Sequence, residues 1–324
     1  MKLAMDEAIA NMVQALANGA VSNRRLQLAE DEEERTSFEA RLYDRWGLAL
    51  DLLRLFRQGC LEAGVEFHEL HRPASGDAMY KALVKLHARS CLVADEVIAL
   101  LRGGFASGAH ARWRTAHEIA VVGFFISGHG QETAERYLLH DAVESARAAI
   151  DYQQHASKLG YQPFSAEEIA SIEDAVATLV ARFGGPYYRQ YGWAAAVLDN
   201  PKPTFRDLEA TVSLDHLRPY YRMASHPTHA GPKGIVFDLG LSGQDVMLAG
   251  PSDGGLADPG QSIAISLLQI TTALLRIRPD MGTIATLTYL QLACDAVAEA
   301  FIRAHRLMEP PPTDFVPVAR LRRS

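Results

Sequence analysis

One stretch restricts the fold more than any other: GFASGAHARWRTAHEIAVVGFFISG, residues 104–128. From Ile119 to Ile126 it is apolar on every side. A helix of that kind is buried all round, so other elements must surround it. The first half of the same helix carries His110, Arg112, Arg114, His117 and Glu118. Residues three and four apart share a helix face, so His110, Arg114 and the His117/Glu118 pair form one polar strip. Trp113, Ala116 and Ala120 form the apolar strip beside it. A charged strip with apolar flanks is at least partly removed from water, and its charges have to be paired.

The rest of the chain supplies helices to surround it. Residues 1–18 predict a short amphipathic helix ending near Asn18-Gly19, and the acidic run 30–34, EDEEE, predicts the solvated first turn of the next. That next helix continues through Trp46, Leu50, Leu53 and Phe56. HRPASGD (71–77) interrupts the pattern, Asp77 is placed to cap a helix through Leu83, Leu86, Val97 and Leu101, and Gly103-Gly104 ends it. Residues 131–159 are again helical in pattern. Ser165 and Glu168 form a capping box ahead of Ile169, Ile172, Val176, Leu179 and Phe183. Residues 186–203 predict a loop, and Asp215 to His226 a short helix with Pro219 in its first turn. GIVFDLG (234–240) and DVMLAG (245–250) predict a β-hairpin, expected to cover one side of the polar strip. Two helices close the chain, one through Ile263, Leu267, Ile270, Leu274 and Ile277, the other through Leu287, Leu290, Cys294, Val297 and Phe301. The expected fold is a mainly α, multi-helix bundle with that one hairpin. Its expected division is an N-terminal helical arm (1–70), a helical core (71–310) and a mobile basic tail (311–324).

A second polar block lies about a hundred residues on, YYRMASHPTH (220–229). Tyr221, Ser225 and His229 are spaced four and four, although Pro227 ends α geometry near His226 and puts His229 in a turn. A guanidinium has five donors, more than Glu118 alone can satisfy. The sequence therefore predicts that Arg114, Glu118, Tyr221, Ser225 and His229 meet. With both charges sealed, Arg114→Ala is expected to cost about 3–5 kcal/mol.

The net charge of −7 disfavours a broad nucleic-acid surface. Cys60, Cys91 and Cys294 are an odd, widely spaced set without a C-x-x-C pair, which reads as reduced thiols. The N-terminus, with Asp6 and Glu7, lacks a secretory pattern, and no apolar run reaches membrane-span length, so a cytoplasmic protein is expected. A carboxylate–histidine metal site built from Glu118, Asp141, Glu144 and His229 is a remote alternative, and His140-Asp141-x-x-Glu144 reads better as an exposed charged face. No cofactor and no metal are expected.

The run G-F-A-S-G-A-H-A-R-W-R-T-A-H-E resembles the signature of the bacterial domain-of-unknown-function family 5677, with Gly104, Ala109, Arg114 and Glu118 at its positions. Tyr221, Ser225 and His229 are similar to that family's second block, Tyr-x3-Ser-x3-His, with Pro227 as a departure. The resemblance implies a helical protein and no particular activity. Arg112 and His117 also resemble the Arg-x4-His motif of the HEPN helical ribonucleases and toxins, with Trp113 where an Asn often stands. Those two positions are about 140° apart on a regular helix, which opposes their convergence.

The leading functional expectation is a toxin or phage-defence enzyme acting on RNA or a nucleotide. His229 would be its general acid/base, Arg114 its phosphate-stabilising cation oriented by Glu118, and Tyr221 and Ser225 its hydrogen-bonding groups. Arg112, His117 and His226 are secondary candidates. The alternative is a non-catalytic scaffold or regulatory protein in which the same cluster locks helices together. A homodimer is expected, with Met5, Ile9, Met12 and Leu16 in its interface or arm.

Overall fold

The computed structural model describes residues 2–72, 76–236, 238–241 and 248–307. In chain order the helices are α1 (Lys2–His71), α2 (Ala78–Arg102), α3 (Ala106–Leu139), α4 (Asp141–Leu159), α5 (Ala166–Phe183), α6 (Ala195–Leu198), α7 (Phe205–Thr211), α8 (Arg218–Met223), α9 (Pro232–Val236), α10 (Ala257–Leu275) and α11 (Met281–Arg306), with short 3-10 turns between α5 and α9. The protein is thus an all-α, multi-helix fold, and no strand occurs among the described residues.

At the centre α2 and α3 run antiparallel, and α10 lies against both. The second half of α1 and all of α11 close the bundle over α10. Trp46, Leu50, Leu53, Leu83, Trp113, Phe125, Ile126 and Phe301 are sealed in this core. The α2–α3 connection turns on Gly104, whose φ of 77° and closeness to the Ser252 carbonyl exclude a side chain. Ser252 N donates to Gly104 O, and Trp46 Nε1 donates to Asp253 O at 2.8 Å, which pins residues 252–253 between α1 and that connection.

Local signals set the helix starts. Asp77 accepts from Tyr80 N, Asp280 accepts from Thr283 N, and Ser165 with Glu168 makes the reciprocal capping box. Pro219 falls in the first turn of α8, where its missing amide costs no bond. Three expectations are corrected. Asn18-Gly19 does not end a helix, and the acidic run 30–34 does not begin one, because α1 is continuous from Lys2 to His71. His140 belongs to no exposed face. It is buried where α3 gives way to α4, with Nε2 against the carbonyls of Tyr187 (3.1 Å) and Arg189 (2.9 Å), and burial lowers its pKa.

The third correction concerns the hairpin. Residues 234–236, taken for its first strand, form the end of α9, with Ile235 and Val236 exposed. Gly234 lies so close to the carbonyls of His226 and His229 that a Cβ there would stand 2.3 and 2.4 Å from them. Leu239 N is taken by Ser107 Oγ, and Gly240 N by Asp238, so this backbone is satisfied by side chains and not by a ladder. Residues 245–247 of the second strand, and the basic tail from 311, lie outside the described residues, and 248–250 form no strand.

Candidate functional site

The site is built on one face of α3. Trp113, fully buried, donates from Nε1 to Ser266 Oγ on α10 at 2.9 Å. That contact fixes the rotation of α3 and turns Arg114, His117 and Glu118 toward the segment 205–221. His110 stacks on Trp113 with ring centroids 5.2 Å apart, and Trp113 lies 5.5 Å from His117. His110 is therefore a buried packing residue. Burial pushes its pKa down to about 4, and its Nε2 has no partner.

The polar groups form two layers. In the inner layer His117 Nε2 lies 3.0 Å from Glu209 Oε1, and both side chains are 0% exposed. Arg218 holds the other carboxylate oxygen, Oε2. The other ring nitrogen of His117, Nδ1, is buried without a partner. Phe205 presents its edge to His117 at 5.9 Å and lies 5.2 Å from Tyr221.

In the outer layer Arg114 Nη2 donates to Tyr221 Oη at 2.7 Å and lies 3.4 Å from Glu118 Oε1. Tyr221 Oη donates in turn to Glu118 Oε1 at 2.6 Å. The guanidinium sits 4.5 Å above the Tyr221 ring, a cation–π geometry. Burial, and then the hydrogen bond to Glu118, push the Tyr221 phenol up to about 12, so it stays a donor at neutral pH. The side chains of Arg114 and Glu118 are 24% and 39% exposed, which makes this layer the open one. Arg114 Nε is buried without a partner.

Arg114, Glu118 and Tyr221 thus meet across the two sequence blocks. Ser225 turns its hydroxyl back to the Tyr221 carbonyl at 2.8 Å. His226 opens the 3-10 turn that holds Pro227, and His229 follows it, exposed, with no hydrogen bond to Arg114 or Glu118. Arg112 is bound to Glu96 on α2 and lies 3.0 Å from Thr115 Oγ1, so Arg112 and His117 serve different partners. Among the described residues no group of three or more His, Cys, Asp or Glu side chains is arranged to hold a metal ion, and the set Glu118, Asp141, Glu144 and His229 is not assembled. The three cysteines are free and buried. Burial raises each thiol, Cys91 to about 11 and Cys294 to about 12.

Sequence reasoning missed Glu209, Arg218 and Tyr191. Glu209 sits inside the two-turn helix α7, and nothing local marks its carboxylate as buried. Tyr191 lines a cavity of about 620 Å³ together with Lys85, Arg89, Tyr137, His140 and Glu144. It also lies 6.2 Å from Phe205. Burial first, and then the Glu118 charge, raise its phenol to about 12 while Arg114 opposes them. Tyr191 therefore joins the cavity to the outer layer.

A helical bundle whose central helix docks a polyaromatic segment through a two-layer Arg/Glu/Tyr and His/Glu/Arg network is the class of protein that these features define. Residues 80–245, just over half the chain, match a family model described as "Family of unknown function (DUF5677)", and the chain belongs to that family. The match contains α3, the loop of Tyr191, and α7 and α8, so both layers of the network lie within it. No curated protein and no solved structure matches the chain. Among the described residues no helix is long and apolar enough to cross a membrane.

Proposed function

We propose that this protein binds a phosphate-bearing ligand of the nucleotide class, free or as a unit of RNA, at the cavity lined by Lys85, Arg89 and Tyr191, whose Tyr191 feels the charge of Arg114. The observation that carries the reading is the state of Arg114. It uses Nη2 for Tyr221 and Glu118, while its Nε is buried and unpartnered. A purely structural arginine spends its donors, whereas an under-used one in a partly open layer is placed to take an anion. Lys85 and Arg89 add two cations to the cavity, and Tyr191 offers an aromatic ring. Asp141 and Glu144 also line it, and Glu144 is already bonded to Arg147 at 2.8 Å.

The proposal is for binding and not cleavage. His117 is sealed behind the outer layer and His229 stands outside it, so neither supports the general-acid role that the sequence suggested. The alternative, a scaffold whose network only locks helices, draws its support from the inner layer, where His117 and Glu209 are closed to solvent.

Calorimetry with AMP, GMP and a short single-stranded RNA separates the two. Binding that weakens about tenfold or more in Lys85→Ala/Arg89→Ala and in Arg114→Ala supports the ligand site. Wild-type protein that binds none of the three overturns it and leaves the scaffold. In the toxin or phage-defence setting, wild-type expression slows growth of a bacterial host and Arg114→Ala relieves it. The reading also takes the chain as a homodimer.

A further inference from the structure

The part of α1 from Met5 to Ser37 is not covered by the rest of the bundle. From Met5 to Ser37 every described side chain is exposed, Gly19 alone being half-covered, and the first buried residue is Leu42. This free arm is about 50 Å long at 1.5 Å per residue. Its surface is not that of a solvated helix. Met5, Ile9, Met12, Val13, Leu16, Val21, Leu26 and Leu28 are all large, apolar and exposed. Ala8 to Asn23 carries no charged residue at all.

The apolar positions have a register. Met5, Ile9, Met12, Leu16 and Leu26 fall on a 4-3-4-3-4-3 spacing that Gly19 and the polar Asn23 complete, the seam of a two-helix coil. Ala8, Ala15, Ser22 and Ala29 recur every seven residues beside that seam, and small side chains there let a second helix approach closely. The charges at the two ends decide which helix fits. Asp6-Glu7 precede the uncharged segment and Arg24-Arg25 follow it. A parallel copy would set acid against acid and base against base. An antiparallel copy centred near residues 14–16 sets Asp6-Glu7 of each chain beside Arg24-Arg25 of the other. It also lays the two uncharged segments against each other along their whole length. The acidic run Asp31–Glu34 lies close by and opposes an anionic lipid surface as the alternative cover.

We propose that the arm of α1 pairs antiparallel with the same arm of a second copy, through the Met5–Leu26 seam and two reciprocal clusters of charge. This rests on the homodimer named above, is independent of the ligand site, and gives the dimer its surface and its two-fold axis.

The test uses the full chain with single spin labels on outward positions. The native cysteines are buried, so Gln14→Cys and Leu28→Cys are labelled selectively. Antiparallel pairing puts the two Gln14→Cys labels near the axis and the two Leu28→Cys labels about 40 Å apart along the helices. Short distances at both positions mean a parallel dimer and overturn the proposal while the homodimer survives. A monomer by light scattering overturns both. A charge swap checks the register independently. Arg24→Glu/Arg25→Glu should weaken the dimer about tenfold, and adding Asp6→Lys/Glu7→Lys should restore it. A swapped variant that stays monomeric refutes the pairing. These changes lie far from the core, so an unchanged melting temperature of the bundle shows that the variants are folded.

Discussion

The two layers of the network differ in exposure, and that difference sets the cost of breaking each. Glu209→Ala removes a carboxylate whose side chain is 0% exposed and which holds both His117 and Arg218. His117, equally sealed, is left without its acceptor, whereas Arg218 is 32% exposed and can turn to water. Breaking a fully buried pair costs about 3–5 kcal/mol, and relief of Arg218 places this case near the lower end, about 3 kcal/mol. Arg114→Ala acts on the open layer. Glu118 is 39% exposed and keeps its bond from Tyr221, so the loss is about 1 kcal/mol. That is well below the 3–5 kcal/mol expected when both charges are taken as sealed. At about 2 °C per kcal/mol for a chain of this size, melting should fall by about 6 °C for Glu209→Ala and about 2 °C for Arg114→Ala. Urea titration followed by circular dichroism at pH 7 reads both, with Glu209→Gln as an intermediate that keeps one hydrogen bond to His117. Equal losses in the two alanine variants would refute the division into a closed structural layer and an open binding layer.

Two further outcomes follow from buried groups. His87 and His110 are each held near pKa 4 by burial, against 6.5 for a free imidazole. A depressed folded pKa means that the unfolded chain binds the extra proton, so this stability is full above pH 6.5 and is lost as pH falls toward 4. By pH 4.5 the two together should remove about 5 kcal/mol, and His110→Phe, which keeps a ring on Trp113, should flatten the urea-measured slope; an unchanged slope counts against it. A Cβ added at Gly260 would lie 2.4 Å from the Phe301 ring, which is itself backed by Trp46 at 5.9 Å. Gly260→Ala should therefore lower stability by about 1–3 kcal/mol, and a melting temperature equal to wild type would show that the α10–α11 contact has slack.

What was legible in the sequence was local or driven by an unmet need. Asp77 and the Ser165/Glu168 box could be found because a cap is a contact between residues three apart. Tyr221 could be found because a half-buried guanidinium requires acceptors that Glu118 cannot supply alone. The turn at Pro227 that ends α geometry before His229 was legible, but not that the turn carries the imidazole out to solvent without a hydrogen bond to Arg114 or Glu118. Glu209 was invisible for the opposite reason. Its partner His117 is 92 positions away, and a lone glutamate in a short helix looks like any solvated one until the chain is folded. The hairpin failed on β-branched Ile235 and Val236, whose strand preference needs a neighbouring strand to act on.

The same physics explains the length of α1 and bears on the proposed pairing of its arm. A helix is costly to start and cheap to extend. Residues 42–71 of α1 are held in helical geometry by the core, so the segment before them extends an existing nucleus. Gly19 costs about 1 kcal/mol relative to alanine, too little to end a helix already propagating. Propagation alone, however, does not account for side chains chosen on a seven-residue repeat. Solvation would be served by charge spread round the helix, as it is from Glu30 to Arg41. The uncharged Ala8–Asn23 segment, bounded by acid on one side and base on the other, is instead the pattern that the proposed antiparallel pairing requires. Shortening the free arm by deleting residues 1–20 should therefore leave the melting temperature of the bundle unchanged and convert the dimer to monomer by light scattering. A truncated protein that remains dimeric would move the interface to the bundle itself.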